Sequence, residues 1–263
     1  MRLIPLLSAA LVLLCPGYVV AQSGFAQGQE AITYTSKTDY FQIDFPTEPK
    51  VQEITYSTEY RITLPGRVYT SEVGRNRYTV TVIDYRNAVN IHLARNAKCI
   101  SEAGADRPGL TAQQRRDLIG DLCQDDGPEE MHGAIMYATW NFIQKAAKVT
   151  HLADYNLDQV QGNEIHVINP DESRTYAVIH MHENRVYIAS ATVPKGAPPS
   201  NWFQINMRFL DDQFNPVRYQ PVGDGVQIYA NGYPKPPRAN QGQGGQGRQG
   251  GQGAQGQGGQ PGR

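Results

Sequence analysis

The sequence predicts an α+β fold in which helices pack on an antiparallel sheet. Apolar and polar residues alternate with the period of a strand in two separate regions, residues 41–85 and residues 164–193. Between these regions, and again after the second one, apolar residues recur at helical spacing. Groups of strands separated by groups of helices are typical of α+β domains.

The first region contains four predicted strands, two of which form the clearest local motif. Residues 41–45 alternate strictly and end at Pro46, which predicts a strand with one buried face. Residues 60–64 alternate in the same way. Residues 68–73 and 78–85 are rich in β-formers and flank a Gly/Asn turn, so we expect them to form a hairpin.

The middle of the chain predicts helices. Residues 88–97 and 112–122 form two short candidates, and residues 133–148 form the strongest one, which we expect to cover the sheet. Strands 164–168, 175–181 and 185–193 should follow as an antiparallel meander. A final helix is predicted over residues 201–210.

The N-terminus has the features of a cleavable signal peptide. Arg2 precedes an apolar run over residues 3–14, which is too short to span a bilayer as a helix. Small residues then place the expected cleavage after Ala21. Lipidation at Cys15 is a weaker alternative, because the residue before it is Leu14 rather than a small one. No second run has membrane length, so we expect an exported, soluble mature protein in the periplasm or outside the cell.

The remaining chain divides into a linker, one domain and a tail. We expect residues 22–38 to be an N-terminal linker and residues 39–233 to be a single α+β domain. Residues 234–263 begin with prolines and continue as a low-complexity stretch of Gly and Gln. Such a composition cannot bury enough apolar surface to offset its ordering entropy, which predicts a disordered tail.

Removal of the signal peptide leaves two cysteines, Cys99 and Cys123. In an oxidising compartment this pair predicts a disulfide that closes a loop of about 24 residues. The spacing is far from C-x-x-C, and no histidine pair lies nearby in sequence, which disfavours a redox motif or a zinc site. The residues outside the signal peptide and tail carry a net negative charge, which argues against nucleic acid as a partner.

The chain also resembles a known superfamily. The strand of residues 41–45 with Pro46 and Pro49, the strands ending at Tyr85 and Ala189, and the closing segment with Phe203 and Phe209 resemble secreted α+β domains of the PsbP-like superfamily. The overall layout, including the cysteine pair, is similar to that of a group of uncharacterised exported bacterial proteins. The resemblance implies an architecture and an accessory or binding role, and it carries no catalytic residues.

The sharpest candidate for chemistry is the pair His180 and His182. Residues two apart on a strand share a face, so these imidazoles could hold one metal ion together with a third ligand. If the preceding turn centres on Asp171 and Glu172, His166 should face Ala177 and lie on the opposite face. A slip of one residue would restore it to the same face. A histidine pair that is merely part of the sheet is the alternative.

Other chemical signals are weak. The acidic stretch of Asp121, Asp125, Asp126, Glu129 and Glu130 could bind calcium but lacks the spacing of a calcium loop. No nucleophile motif, phosphate loop or cofactor signature is present, so we predict neither catalytic nor cofactor-binding residues. The sequence therefore favours an exported, non-enzymatic binding or accessory protein with an envelope or extracellular partner. The alternative is a metal-dependent hydrolase that uses His180 and His182.

Overall fold

The structure, a computed structural model, describes residues 31–120, 122–200 and 202–219. Within this part the fold is α+β, as the sequence predicts. The strands are β1 Ile32–Ser36, β2 Phe41–Phe45, β3 Lys50–Ser57, β4 Thr63–Val73, β5 Asn76–Asp84, β6 Lys148–Leu157, β7 Val160–Ile168, β8 Arg174–His182, β9 Arg185–Val193 and β10 Arg208–Phe209. The helices are α1 Ala88–Glu102, α2 Ala112–Ile119, α3 Gly127–Lys145 and the single turn α4 Trp202–Ile205.

Seven of the strands form one antiparallel sheet in the order β3-β4-β5-β9-β8-β7-β6. The chain builds it as two meanders, β3 to β5 and β6 to β9, which meet where β5 pairs with β9. The edges of the sheet are therefore β3 and β6. A second, three-stranded antiparallel sheet has the order β1-β2-β10.

The two sides of the large sheet are covered by different elements. On one side, the helix face, α3 packs Met131, Ala134, Ile135 and Ala138 onto a layer that includes Ile165 and Ile179. On the other side, the inner face, the small sheet and α4 pack apolar side chains onto the large sheet, chiefly Phe41, Ile43, Phe45, Phe203, Met207 and Phe209. The domain is thus three layers deep, because both sides of the central strands are buried.

The first turn of α3 contains residues that favour a helix N-terminus. Proline stands in its first turn, where a missing backbone N–H costs nothing, and Glu129 and Glu130 lie near the positive end of its dipole. The short α2 begins with a capping box, in which Thr111 and Gln114 each accept the other's backbone N–H.

Several boundaries differ from the prediction. Strand β1 lies inside the expected linker of residues 22–38. Residues 60–62 form a turn rather than the start of a strand, and β4 begins at Thr63. The predicted helix of residues 201–210 is wrong beyond α4, because Arg208 and Phe209 instead pair with β2. Phe203, Met207 and Leu210 are buried as their spacing suggested, although extended chain buries the last of them.

The sulfur atoms of Cys99, in α1, and Cys123 are 2.06 Å apart, in agreement with the predicted disulfide. The bond ties the helical excursion after β5 to the chain that leads into α3. The expected signal peptide, residues 1–21, and the expected tail, residues 234–263, lie outside the described residues. Among the described helices, none combines the length and the apolar character needed to cross a membrane.

Candidate functional site

The predicted metal pair, His180 and His182, lies on β8 and faces the inner layer. Both side chains are buried, at 0% and 4% exposure. The His182 ring stacks on Phe209 with centroids 4.7 Å apart, and the His180 ring meets the same phenyl ring edge-on at 5.8 Å. His182 Nε2 also lies 2.6 Å from the hydroxyl of Tyr219. The two imidazoles are thus packed among aromatic rings.

No group of three His, Cys, Asp or Glu side chains in the described residues is arranged to hold a metal ion as it stands. The metal site at His180 and His182 stays a prediction, and the described part of the chain brings no third ligand to it. Burial disfavours the charged imidazolium and lowers the pKa of His180 to about 4, with the neighbouring His182 as a lesser cause.

The predicted register between β7 and β8 is wrong by one residue. His166 pairs with Tyr176 rather than Ala177, and Gly162 pairs with His180. His166 therefore shares the inner face with His180. His166 does not join that pair. Its partner on β8 is Tyr176, which is four residues from His180, and at a rise of about 3.3 Å per residue this separation keeps His166 away from the two buried imidazoles.

The corrected register reveals a different cluster, which the sequence analysis did not identify. His151 on β6, His166 on β7 and Tyr176 on β8 form one row across the inner face. Glu164 stands in the next row of β7, opposite Ala153. We call His151, Glu164 and His166 the histidine–glutamate group.

A β-bulge in β6 creates this row. The register shifts between Val149 and His151, so that Val149 pairs with Val167 while His151 pairs with His166. In regular pairing Thr150 would occupy that position, and His151 would point to the helix face instead. The Thr150 hydroxyl donates to the carbonyl oxygen of His166 over 3.1 Å, which holds the bulge against its neighbour. Bulges commonly re-aim side chains beside functional sites.

Glu164 links the two imidazoles. His166 Nε2 donates to Glu164 Oε1 over 2.9 Å, and His151 Nε2 lies 3.7 Å from Glu164 Oε2. The two rings are 4.7 Å apart between centroids, and the Tyr176 ring packs edge-on against His166 at 4.8 Å. Two nitrogen donors and one carboxylate therefore lie within a few ångströms of one another.

This group is accessible, unlike His180 and His182. The side chain of His151 is 43% exposed, that of His166 21% and that of Glu164 19%. Tyr155, farther along β6 on the same face, is half-buried, and its pKa is raised by burial and by the charge of Glu164. The group thus forms a partly open edge of a face that is otherwise covered.

The acidic stretch offers no comparable site. Glu130 points into the core, where its Oε2 accepts from Thr58 Oγ1 over 2.6 Å and lies 3.3 Å from His92 Nε2. The Asp125 carboxylate accepts the backbone N–H of Gly127 over 3.1 Å. Asp121 lies outside the described residues. These carboxylates serve the start of α3 and do not converge on an ion.

A cleft of about 510 Å³ opens where the turns after β4 and β7 meet the end of β9. Its lining includes Arg75, Arg77 and Lys195, which could attract an anion. Arg77 lies 3.8 Å from Glu72, Lys195 pairs with Glu172, and the carboxylates of Glu72 and Asp171 also line the cleft. The histidine–glutamate group therefore remains the stronger candidate.

The sequence carried one usable signal for this group, the alternation of Glu164 and His166 on a predicted strand. No sequence pattern indicates His151, because its position depends on a β-bulge that the residue pattern does not predict. No protein-family model matches the chain, and no curated protein is significantly similar to it.

Proposed function

We propose that the chain is an exported, non-enzymatic binding protein that holds its ligand at the histidine–glutamate group. The observation that carries this proposal is the accessible row that the β6 bulge builds on the inner face. Three side chains capable of strong polar contacts meet there, beside the ring of Tyr176. The proposed partner is an envelope or extracellular component.

Among the residues that the structure describes, no Ser, Thr or Cys side chain hydrogen-bonds to the imidazole of His151 or His166, which argues against a nucleophilic side chain activated by the group. The Thr150 hydroxyl is committed to a backbone carbonyl, and the Tyr176 ring is packed against His166. The resemblance to PsbP-like domains supports a binding role, since its members are mostly accessory or binding proteins.

Export is supported by the apolar N-terminal run, the small residues before Gln22 and the cysteine pair. Disulfides persist in oxidising compartments and are rare in the cytosol. The partner should therefore be met in the periplasm or outside the cell.

Native mass spectrometry of the protein purified from the exported fraction of its producing cells tests the proposal. We expect a polypeptide that begins at Gln22 and carries a bound species. The double variant His151→Ala/His166→Ala should lose that species, because it removes both imidazoles from the row. His132→Ala is the matched control, since His132 is exposed on α3 and lies on the other side of the sheet.

Two results would contradict the proposal. One is a wild-type protein that carries no bound species when it is purified under native conditions. The other is a species that the double variant retains at wild-type occupancy. A chain that retains Met1–Ala21 would overturn the export part alone.

A further inference from the structure

We infer that the histidine–glutamate group binds one divalent late transition-metal ion, with zinc as the reference case. This inference rests on the proposed function, because it names the ligand class of the same site. His151 and His166 would each supply Nε2, and Glu164 would supply a carboxylate oxygen.

The donor set fits such an ion. Two imidazoles and one carboxylate form one of the common protein ligand sets of zinc in sites that keep an open position. Imidazole nitrogen suits zinc, copper and nickel, whereas calcium and magnesium prefer sites made of oxygen ligands. The composition of the group therefore favours a late transition metal over the hard cations.

The spacing of the donors is close to what the ion requires. Ligand bonds of about 2.0–2.1 Å at tetrahedral angles place neighbouring donor atoms about 3.3 Å apart. His166 Nε2 lies 2.9 Å from Glu164 Oε1, and His151 Nε2 lies 3.7 Å from Glu164 Oε2, so the two distances fall on either side of that value but involve opposite oxygens of the carboxylate. Binding through one oxygen therefore requires the carboxylate to turn.

The described side chains of the group are not arranged to hold a metal ion as they stand, and the Glu164 carboxylate faces both imidazoles. Binding would replace these two contacts with bonds to the ion. The required movement falls mainly on His151, whose distance to Glu164 is the longer one. His151 can move at low cost, because it is exposed and lies on an edge strand beside a bulge.

The site would keep positions for water or for an outside ligand. Its three protein donors leave at least one position of a four-coordinate ion free, and the group is partly open to solvent. Two neutral imidazoles and one carboxylate leave a divalent ion with a net positive charge. The open position would thus favour an anionic group on the partner.

Calorimetric titration of zinc sulfate into the metal-free, tag-free full chain with its disulfide intact tests this inference. We expect one ion per chain. Loss of a direct ligand in His166→Ala or Glu164→Gln should weaken binding at least about tenfold, as loss of even a supporting partner does. His132→Ala should bind zinc like the wild type.

Histidine ring NMR signals of the wild-type chain give a second measurement that needs no variant. Zinc should shift the ring signals of His151 and His166 and leave that of the buried His92 in place. Shifts at His180 and His182 instead would overturn the inference in favour of the pair predicted from sequence. Absence of binding by zinc, copper and nickel would also overturn it. In that case a non-metal species found by native mass spectrometry would still support the proposed function.

Discussion

At the scale of single residues, Gly162 on β7 leaves room for the imidazole of His180, its partner on β8. A Cβ atom at Gly162 would collide with the Ile179 carbonyl oxygen and with His180 Nδ1. The His180 imidazole therefore occupies the space that the side chain of any residue other than glycine would need at position 162. Glycine in a strand often marks such a close approach.

Gly162→Ala should lower the free energy of unfolding by about 1–3 kcal/mol, the usual cost of overpacking a dense core. Urea denaturation measures the change. Gly133→Ala is the matched control, because its Cβ would meet only the flexible end of Glu59 at 3.0 Å. There alanine should be neutral or stabilising, since it favours the helix over glycine. Equal effects at the two positions would contradict the proposed packing at Gly162.

The burial of His180 in its neutral form predicts a loss of stability in acid. Its pKa is about 4 in the folded protein and about 6.5 in the unfolded chain, so the unfolded chain binds more protons between these values. The free energy of unfolding should therefore fall as the pH falls from 6.5 towards 4. The contribution of His180 is about 2 kcal/mol between pH 7.5 and pH 5.0.

Urea denaturation at the two pH values measures this loss. His180→Asn should lose about 2 kcal/mol less than the wild type over the same interval, because it has no imidazole to protonate. Comparing each protein with itself removes the difference in their starting stabilities. An equal loss in both proteins would show that His180 does not stay neutral in the fold.

At the scale of elements, the sequence predicts the buried strands and helices better than the edges of the sheets. Residues 78–85 and 185–193 have clear β patterns because both sides of these strands pack in the interior. β3 and β6 are edge strands with mostly exposed residues, so hydrophobic alternation is weak in both. The β6–β7 turn gives no signal either, because Asp158 and Gln159 adopt positive φ angles without glycine.

The candidate site was hard to predict for the same reason. His166 and Glu164 lie on a predicted strand, where one residue of register decides which face His166 takes. The position of His151 depends on a missed edge strand and on a bulge within it. Side-chain period alone assigns His151 to the helix face.

The Cys99–Cys123 bond should stabilise the helical excursion. Closing a 24-residue loop corresponds to about 3 kcal/mol in the chain-entropy model. Cys99→Ser/Cys123→Ser should therefore lower the free energy of unfolding by roughly that amount, measured by urea denaturation. The intact mass of the purified wild type should show two hydrogens fewer than the reduced chain. Free thiols in the exported protein would contradict the pairing.

At the scale of the whole domain, the three layers explain why one part of the inner face is available. The small sheet and α4 cover the inner face over the central strands, where Tyr187, Val80 and Val178 are fully buried. Toward β6 the cover ends, and the polar row of His151, His166 and Tyr176 replaces apolar packing. The architecture therefore separates a buried histidine pair from an accessible one on the same face.

Labelling of histidines with diethyl pyrocarbonate at pH 7.5, followed by peptide mass spectrometry, tests that separation most directly. Of the four histidines on the inner face, His151 should react fastest and His166 more slowly, in line with side-chain exposures of 43% and 21%. His180 and His182, at 0% and 4% exposure, should be protected until the protein unfolds. Labelling of His180 and His182 as fast as that of His151 would contradict the account and return the site to the pair on β8.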